Sequence, residues 1–345
     1  MSSPYKNLFV WAAVVLLPAA VLGECTCEPE EEGDESKSLA LKYKVGAIAA
    51  ILVASAVGVM LPVVGRRVPA LSPERNFFFV IKAFAAGVIL STGFIHVLPD
   101  AFESLTSPCI PASPWGDFPF TGFIAMLSAI GTLMVDTYAT SYYRRRSGVK
   151  AVEGGGDEEG GAAVVPVHAH AHGSVSLEPD SGETDLLRHR VISQVLELGI
   201  IVHSVIIGIA LGASQSPKTI RPLIAALSFH QFFEGIGLGG CITQARFKAR
   251  AVTIMALFFS ITTPVGIAIG IGITNIYSET SSTALIVQGV FNAASAGILV
   301  YMALVDLLAA DFMSPKLQSN GKLQLGANLS LLIGTGCMSF IAKWA

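Results

Sequence analysis

The sequence predicts an all-α polytopic membrane protein of eight transmembrane helices, with helices 4 and 5 forming a central metal site. Three observations carry this. Of 345 residues, 52% are hydrophobic and 14% charged, with a mean hydropathy of +0.63, whereas soluble domains carry roughly 25% charge. The apolar residues gather into stretches of about 20, the length a helix needs to cross hydrocarbon. Two neighbouring stretches, 191–213 and 222–241, hold ionisable groups where lipid penalises them, namely Glu197, His203, His230 and Glu234. The net charge of −3 says nothing about nucleic acid, and no nucleic-acid partner is expected of a polytopic membrane protein.

Taken in order, residues 1–23 read as a signal peptide, with Lys6, an apolar core over 8–22 and small residues before Glu24. The acidic stretch 24–42 is expected outside the cell, without regular structure over 24–38. Helices 1, 2 and 3 are expected at 43–64, 77–98 and 119–140, within a block of 43–140. The segment 141–190 is rich in Gly, Glu and His and lacks apolar periodicity, so it reads as a disordered loop. Helices 4 to 8 follow at 191–213, 222–241, 251–274, 284–308 and 324–342, within 191–345. Pro264 removes a backbone donor and is expected to kink helix 6. Gly208-xxx-Gly212, Gly235-xxx-Gly239 and Gly266-xxx-Gly270 give helices 4, 5 and 6 small faces for close packing in lipid.

Basic residues orient the helices. Fourteen, including Arg144, Arg145, Arg146 and Arg250, fall on the side that holds the 141–190 loop, against six on the other. The excess marks the cytoplasm, so the mature termini are expected outside a multi-pass protein of the plasma membrane. Cys25, Cys27 and Cys109 then lie on the outer side. Either one of the first two pairs with Cys109, or Cys25-Thr-Cys27 beside the acidic run catches metal.

His230 and Glu234 are four apart and share a helix face. If helices 4 and 5 are antiparallel, His203 and His230 differ in depth by only about 3 Å at 1.5 Å per residue. Two imidazoles and a carboxylate near the midplane point to a transition-metal ligand set. His96, Asp100 and Glu103, spaced four and three apart at the outer end of helix 2, form a candidate entrance. Asp136 near the inner end of helix 3, and Glu197 about 9 Å inward of His203 by helical rise, are candidate exit groups. Lys82 is expected to snorkel to the cytoplasmic surface, with Asp306 and Asp311 at the inner membrane edge. In the loop, His168-Ala-His170-Ala-His172 offers alternating imidazoles for weak, exchangeable metal contact.

These residues resemble a known pattern. His203-Ser-Val-Ile-Ile-Gly208 with Leu211-Gly212, and His230-Gln-Phe-Phe-Glu234-Gly235 with Leu238-Gly239, are similar to the helix-4 and helix-5 signatures of the Zrt/Irt-like (ZIP) metal transporters. Phe94-Ile-His-Val-Leu-Pro-Asp-Ala-Phe102 resembles the helix-2 end of the plant zinc- and iron-regulated branch. The resemblance implies uptake of Zn²⁺, Fe²⁺ or related ions such as Mn²⁺ and Cd²⁺ into the cytosol by an elevator-type or alternating-access motion, with assembly as a homodimer. It implies no cofactor, the metal being the substrate. It places His203, His230 and Glu234 in the transport site, His96 and Asp100 at the entrance, and Glu103 and Asp136 in substrate choice.

One departure matters. Where many members carry His-Asn-x-Pro-Glu-Gly in helix 4 and further carboxylates in helices 5 and 6, this chain has Ser204, Ile206, Ile207, Gln231 and Thr263. A single ion is therefore expected, completed by water or a neutral group such as Ser204 or Gln231. Two rivals read the same features differently. A zinc-dependent intramembrane hydrolase would want His-Glu-x-x-His to set a general base beside an activated water, and that motif is absent. A cation-diffusion-facilitator-like exporter is expected to have six spans and a folded cytosolic C-terminal domain, against the eight stretches read here.

Overall fold

The computed structural model describes residues 34–65, 75–146, 181–273 and 281–343, and among these there are helices and turns but no strand. The long helices are α1 (Asp34–Gly65), α2 (Asn76–Leu105), α3 (Phe120–Arg146), α4 (Ser181–Ala213), α5 (Pro217–Gln244), α6 (Ala249–Ile273), α7 (Ser282–Phe312) and α8 (Gly321–Ala342). Seven are long and apolar enough to cross a membrane; α5 is the exception, because His230, Gln231 and Glu234 lower its hydropathy. From Ala226 to Thr243 no residue of α5 is exposed, so neighbouring helices cover its polar groups.

Several boundaries move. α1 begins at Asp34 rather than 43, so part of the stretch expected to lack structure is helical. α3 and α4 extend into the expected 141–190 loop, over 141–146 and 181–190. α6 continues through Pro264 as one helix. The signal-peptide segment, Cys25, Cys27 and the His168, His170 and His172 tract lie outside the described residues. Cys109 is disulfide-bonded.

Glycines bring the helices together backbone to backbone in pairs, and the pairs pack into two groups of four. Gly208 and Gly212 of α4 lie against Gly266 and Gly270 of α6, where a Cβ on Gly208 would stand 2.7 Å from the Thr263 carbonyl oxygen. Gly235 of α5 meets the backbone of α1, its would-be Cβ 2.8 Å from Val59 N. In the other group, Gly87 and Gly334 bring α2 and α8 together, and Gly297 of α7 touches the backbone of α3 at Ala125. Ser330 Oγ donates to the Val80 carbonyl at 2.8 Å, and Ser91 and Ser339 share a 2.8 Å hydrogen bond, reinforcing the α2–α8 seam. Small residues with interhelical hydrogen bonds are how helices associate tightly in lipid. Between the groups the contacts are through side chains: Gly199 of α4 faces Ile298 and Met302, and Gly240 of α5 faces Phe78 and Lys82. The fold is thus a group of α1, α4, α5 and α6 beside a group of α2, α3, α7 and α8.

Candidate metal centre

The centre lies between the two groups. α5 presents His230 and Glu234 one turn apart, and α4 presents His203 beside them; each is at most 1% exposed. One ligand atom from each of the three falls within 4.8 Å of the others. His203 Nε2 stands 3.9 Å from Glu234 Oε1, and the imidazoles of His203 and His230 have centroids 5.8 Å apart. A tetrahedral ion with ligands at 2.0–2.1 Å needs edges of about 3.3 Å, so closure on one ion takes roughly 1.5 Å of side-chain movement. His203 Nε2, His230 Nε2 and both Glu234 oxygens are buried without a hydrogen-bond partner among the described residues. Buried polar groups normally have partners, and this donor set suits a borderline divalent cation.

His96, expected with Asp100 and Glu103 at an entrance, lies beside this cluster. It is 3% exposed, its ring centroid is 6.4 Å from that of His230, and its Nε2 has no hydrogen-bond partner among the described residues. It lies in a π-helical turn, Thr92–Val97, inside α2. Pro99 supplies the reason, since its ring would clash with the carbonyl four residues back and a wider preceding turn relieves this. Asp100 and Glu103 instead line a cavity of about 540 Å³. Its walls include Gln288 and Asn292 of α7, and Ile207 and Leu227 close it one turn from His203 and His230. On the opposite side of the cluster Leu196, Ile200, Leu238, Leu299, Met302 and Leu307 pack as one apolar core.

Ser204 and Gln231 flank the cluster, both at most 1% exposed. Thr263 Oγ1 donates to Gln231 Oε1 at 3.4 Å, a neutral pair where carboxylates would support a second ion. Asp136 accepts a 3.1 Å hydrogen bond from Tyr301, and Glu197 is half-buried on α4. Lys82 does not snorkel: it is 3% exposed and its Nζ is 2.6 Å from Asp311 Oδ1. Asp306, expected at the membrane edge, is 2% exposed within a second π-helical stretch, Met302–Ala309. Sequence reasoning missed Ser295, whose Oγ is 2.7 Å from His203 Nδ1. The available signal was Asn292 and Ser295, three apart within an apolar stretch of α7.

A buried two-imidazole, one-carboxylate cluster between membrane-type helices defines a polytopic metal-handling protein. Residues 41–342 match the family described as ZIP Zinc transporter. Zinc transporter 5 of Oryza sativa subsp. japonica is 55% identical over 349 residues, covering 100% of this chain and 99% of that protein. Zinc transporter 3 of Arabidopsis thaliana is 55% identical, over 99% of this chain and 98% of its own. Fe(2+) transport protein 1 of Arabidopsis thaliana is 49% identical, over 99% and 97%. The chain belongs to the ZIP zinc transporter family, and it is a divalent-metal transporter rather than an enzyme.

Proposed function

We propose that the chain carries zinc or iron from outside the cell into the cytosol through His203, His230 and Glu234. The observation that carries this reading is the convergence of these three side chains, from two helices, at a buried point. Zinc and Fe(2+) transporters among the relatives support both ions as substrates. Eight spans are assigned, α5 included, its polar groups covered by neighbouring helices.

The route begins in the cavity lined by Asp100 and Glu103, which attracts and partly dehydrates the cation. His96, a short step from His230, passes it to the centre. Release runs past Glu197 and Asp136 once the apolar core on that side parts. A cavity on one side and close packing on the other are half of an alternating-access cycle, and two internally locked groups joined through side chains are built to shift against each other. The basic-residue excess puts the 141–190 loop in the cytosol and both termini outside the plasma membrane, with 1–23 as the signal peptide. A homodimer is the proposed assembly. His168, His170 and His172 are assigned to cytosolic metal handling, outside the path.

Radiometal uptake in metal-uptake-deficient yeast tests this. His203→Ala, His230→Ala and Glu234→Ala should each abolish uptake at near-normal surface abundance, while a triple alanine variant of the loop histidines keeps maximal uptake. Wild-type uptake in two of the three core variants would sink the site.

A further inference from the structure

One hydrogen bond crosses between the two helix groups at the metal centre. His203 Nδ1 on α4 lies 2.7 Å from Ser295 Oγ on α7, with His203 1% and Ser295 0% exposed. The two ring nitrogens have different duties. Nε2 faces Glu234 and belongs to the cluster that can close on an ion. An imidazole that binds metal through Nε2 keeps its proton on Nδ1, and metal-binding histidines almost always donate that N–H to an oxygen partner. Ser295 Oγ is the oxygen in place to accept it.

We propose that Ser295 is a positioning residue for the transported ion. Its hydroxyl accepts from His203 Nδ1–H, which fixes the tautomer whose Nε2 lone pair points at the metal, and it holds the ring against rotation. The hydroxyl stands on the opposite helix group from its histidine. α4 is locked to α6 by backbone contact at Gly208 and Gly212, and α7 to α3 at Gly297, whereas α4 and α7 meet through side chains at Gly199. A relative shift of the groups by about 1 Å along the bond would carry it past hydrogen-bond length. The support for His203 is therefore present in the arrangement with the cavity at Asp100 and withdrawn when the groups move, so the same displacement that opens the other side also loosens the ion. This inference rests on the three-residue cluster being the transport site.

The test uses purified full-length protein titrated with Co²⁺ by visible absorption, together with zinc uptake kinetics in yeast. Ser295→Ala should raise the Co²⁺ dissociation constant by about 10- to 100-fold and alter the d–d bands, the usual cost of losing such an orienting partner. In uptake the loss should appear in KM, with maximal rate per surface molecule unchanged or raised, because release is not hindered. Ser295→Thr keeps the hydroxyl and should bind Co²⁺ close to wild type. Ser295→Gly also lacks the hydroxyl and carries the same expectation as alanine, should the alanine variant fold poorly. Wild-type Co²⁺ affinity and spectrum in a folded Ser295→Ala or Ser295→Gly protein, with His230→Ala losing binding, would overturn the positioning role alone. Wild-type binding in His230→Ala would overturn the site reading beneath it.

Discussion

Asp311→Asn is expected to lower stability by about 3 kcal/mol, and more than Lys82→Met does. Lys82 Nζ sits 2.6 Å from Asp311 Oδ1, with side-chain exposures of 4% and 15%. Removing one partner of a buried pair costs about 3–5 kcal/mol because a charge is left without compensation. The rings of Phe78 and Phe79, with centroids 5.8 and 5.3 Å from Nζ, offset about 1 kcal/mol of that for a stranded ammonium. The reverse change strands Asp311, which reaches water, so Lys82→Met should cost only about 1 kcal/mol. Replacing both charges should return the protein to within about 1 kcal/mol of wild type, since an apolar substitute for a buried pair is often neutral. Thermal unfolding in detergent, followed by far-ultraviolet circular dichroism, measures the cycle. At about 2 °C per kcal/mol the asparagine variant should melt roughly 6 °C lower. A double variant less stable than either single one, or equal costs for the two singles, would refute the assignment of Lys82 as a buried charge held by Asp311.

Stoichiometry follows from charge. Glu234 is the one carboxylate in the described cluster; with two neutral imidazoles it leaves one divalent ion at a net charge of about +1, whereas two ions would leave about +3 in a low-dielectric setting. Anomalous scattering on metal-soaked crystals should show a single strong peak at α4 and α5, and two full-occupancy peaks within about 5 Å would overturn it. At the cavity, Asp100→Ala should weaken capture and Glu103→Ala should change which ions compete, read from uptake against a metal panel. If neither moves rate, apparent affinity or competition, these carboxylates only wet the cavity wall.

Helical periodicity made the heart of the centre legible. His230 and Glu234 share a face because 3.6 residues make a turn, and that holds wherever the helix packs. The small-xxx-small faces on α4, α5 and α6 were legible for the same reason, although not which helix each would meet: Gly208 and Gly212 meet α6, and Gly235 and Gly239 meet α1. The length and apolarity of the spans followed from hydrocarbon thickness. Their ends did not, since α1, α3 and α4 continue as helix beyond the apolar stretch.

What tertiary structure decided is every relation between distant helices. Lys82 carries the long aliphatic stem of a snorkelling residue, and only the arrival of Asp311, 229 residues away, makes burial tolerable. Regular α-spacing put His96 with Asp100 and Glu103, but the π-helical turn before Pro99 sets His96 beside His230 and leaves the two carboxylates on the cavity wall. No pattern in Met302–Ala309 announces the second π-helical stretch around Asp306. Ser295 is an ordinary small residue in an apolar stretch of α7 until that helix comes to rest against α4. A side chain's type and its helical face are properties of its own segment, whereas its hydrogen-bond partner and its depth depend on which helices pack against it, and that is settled only when the two groups close around the metal centre.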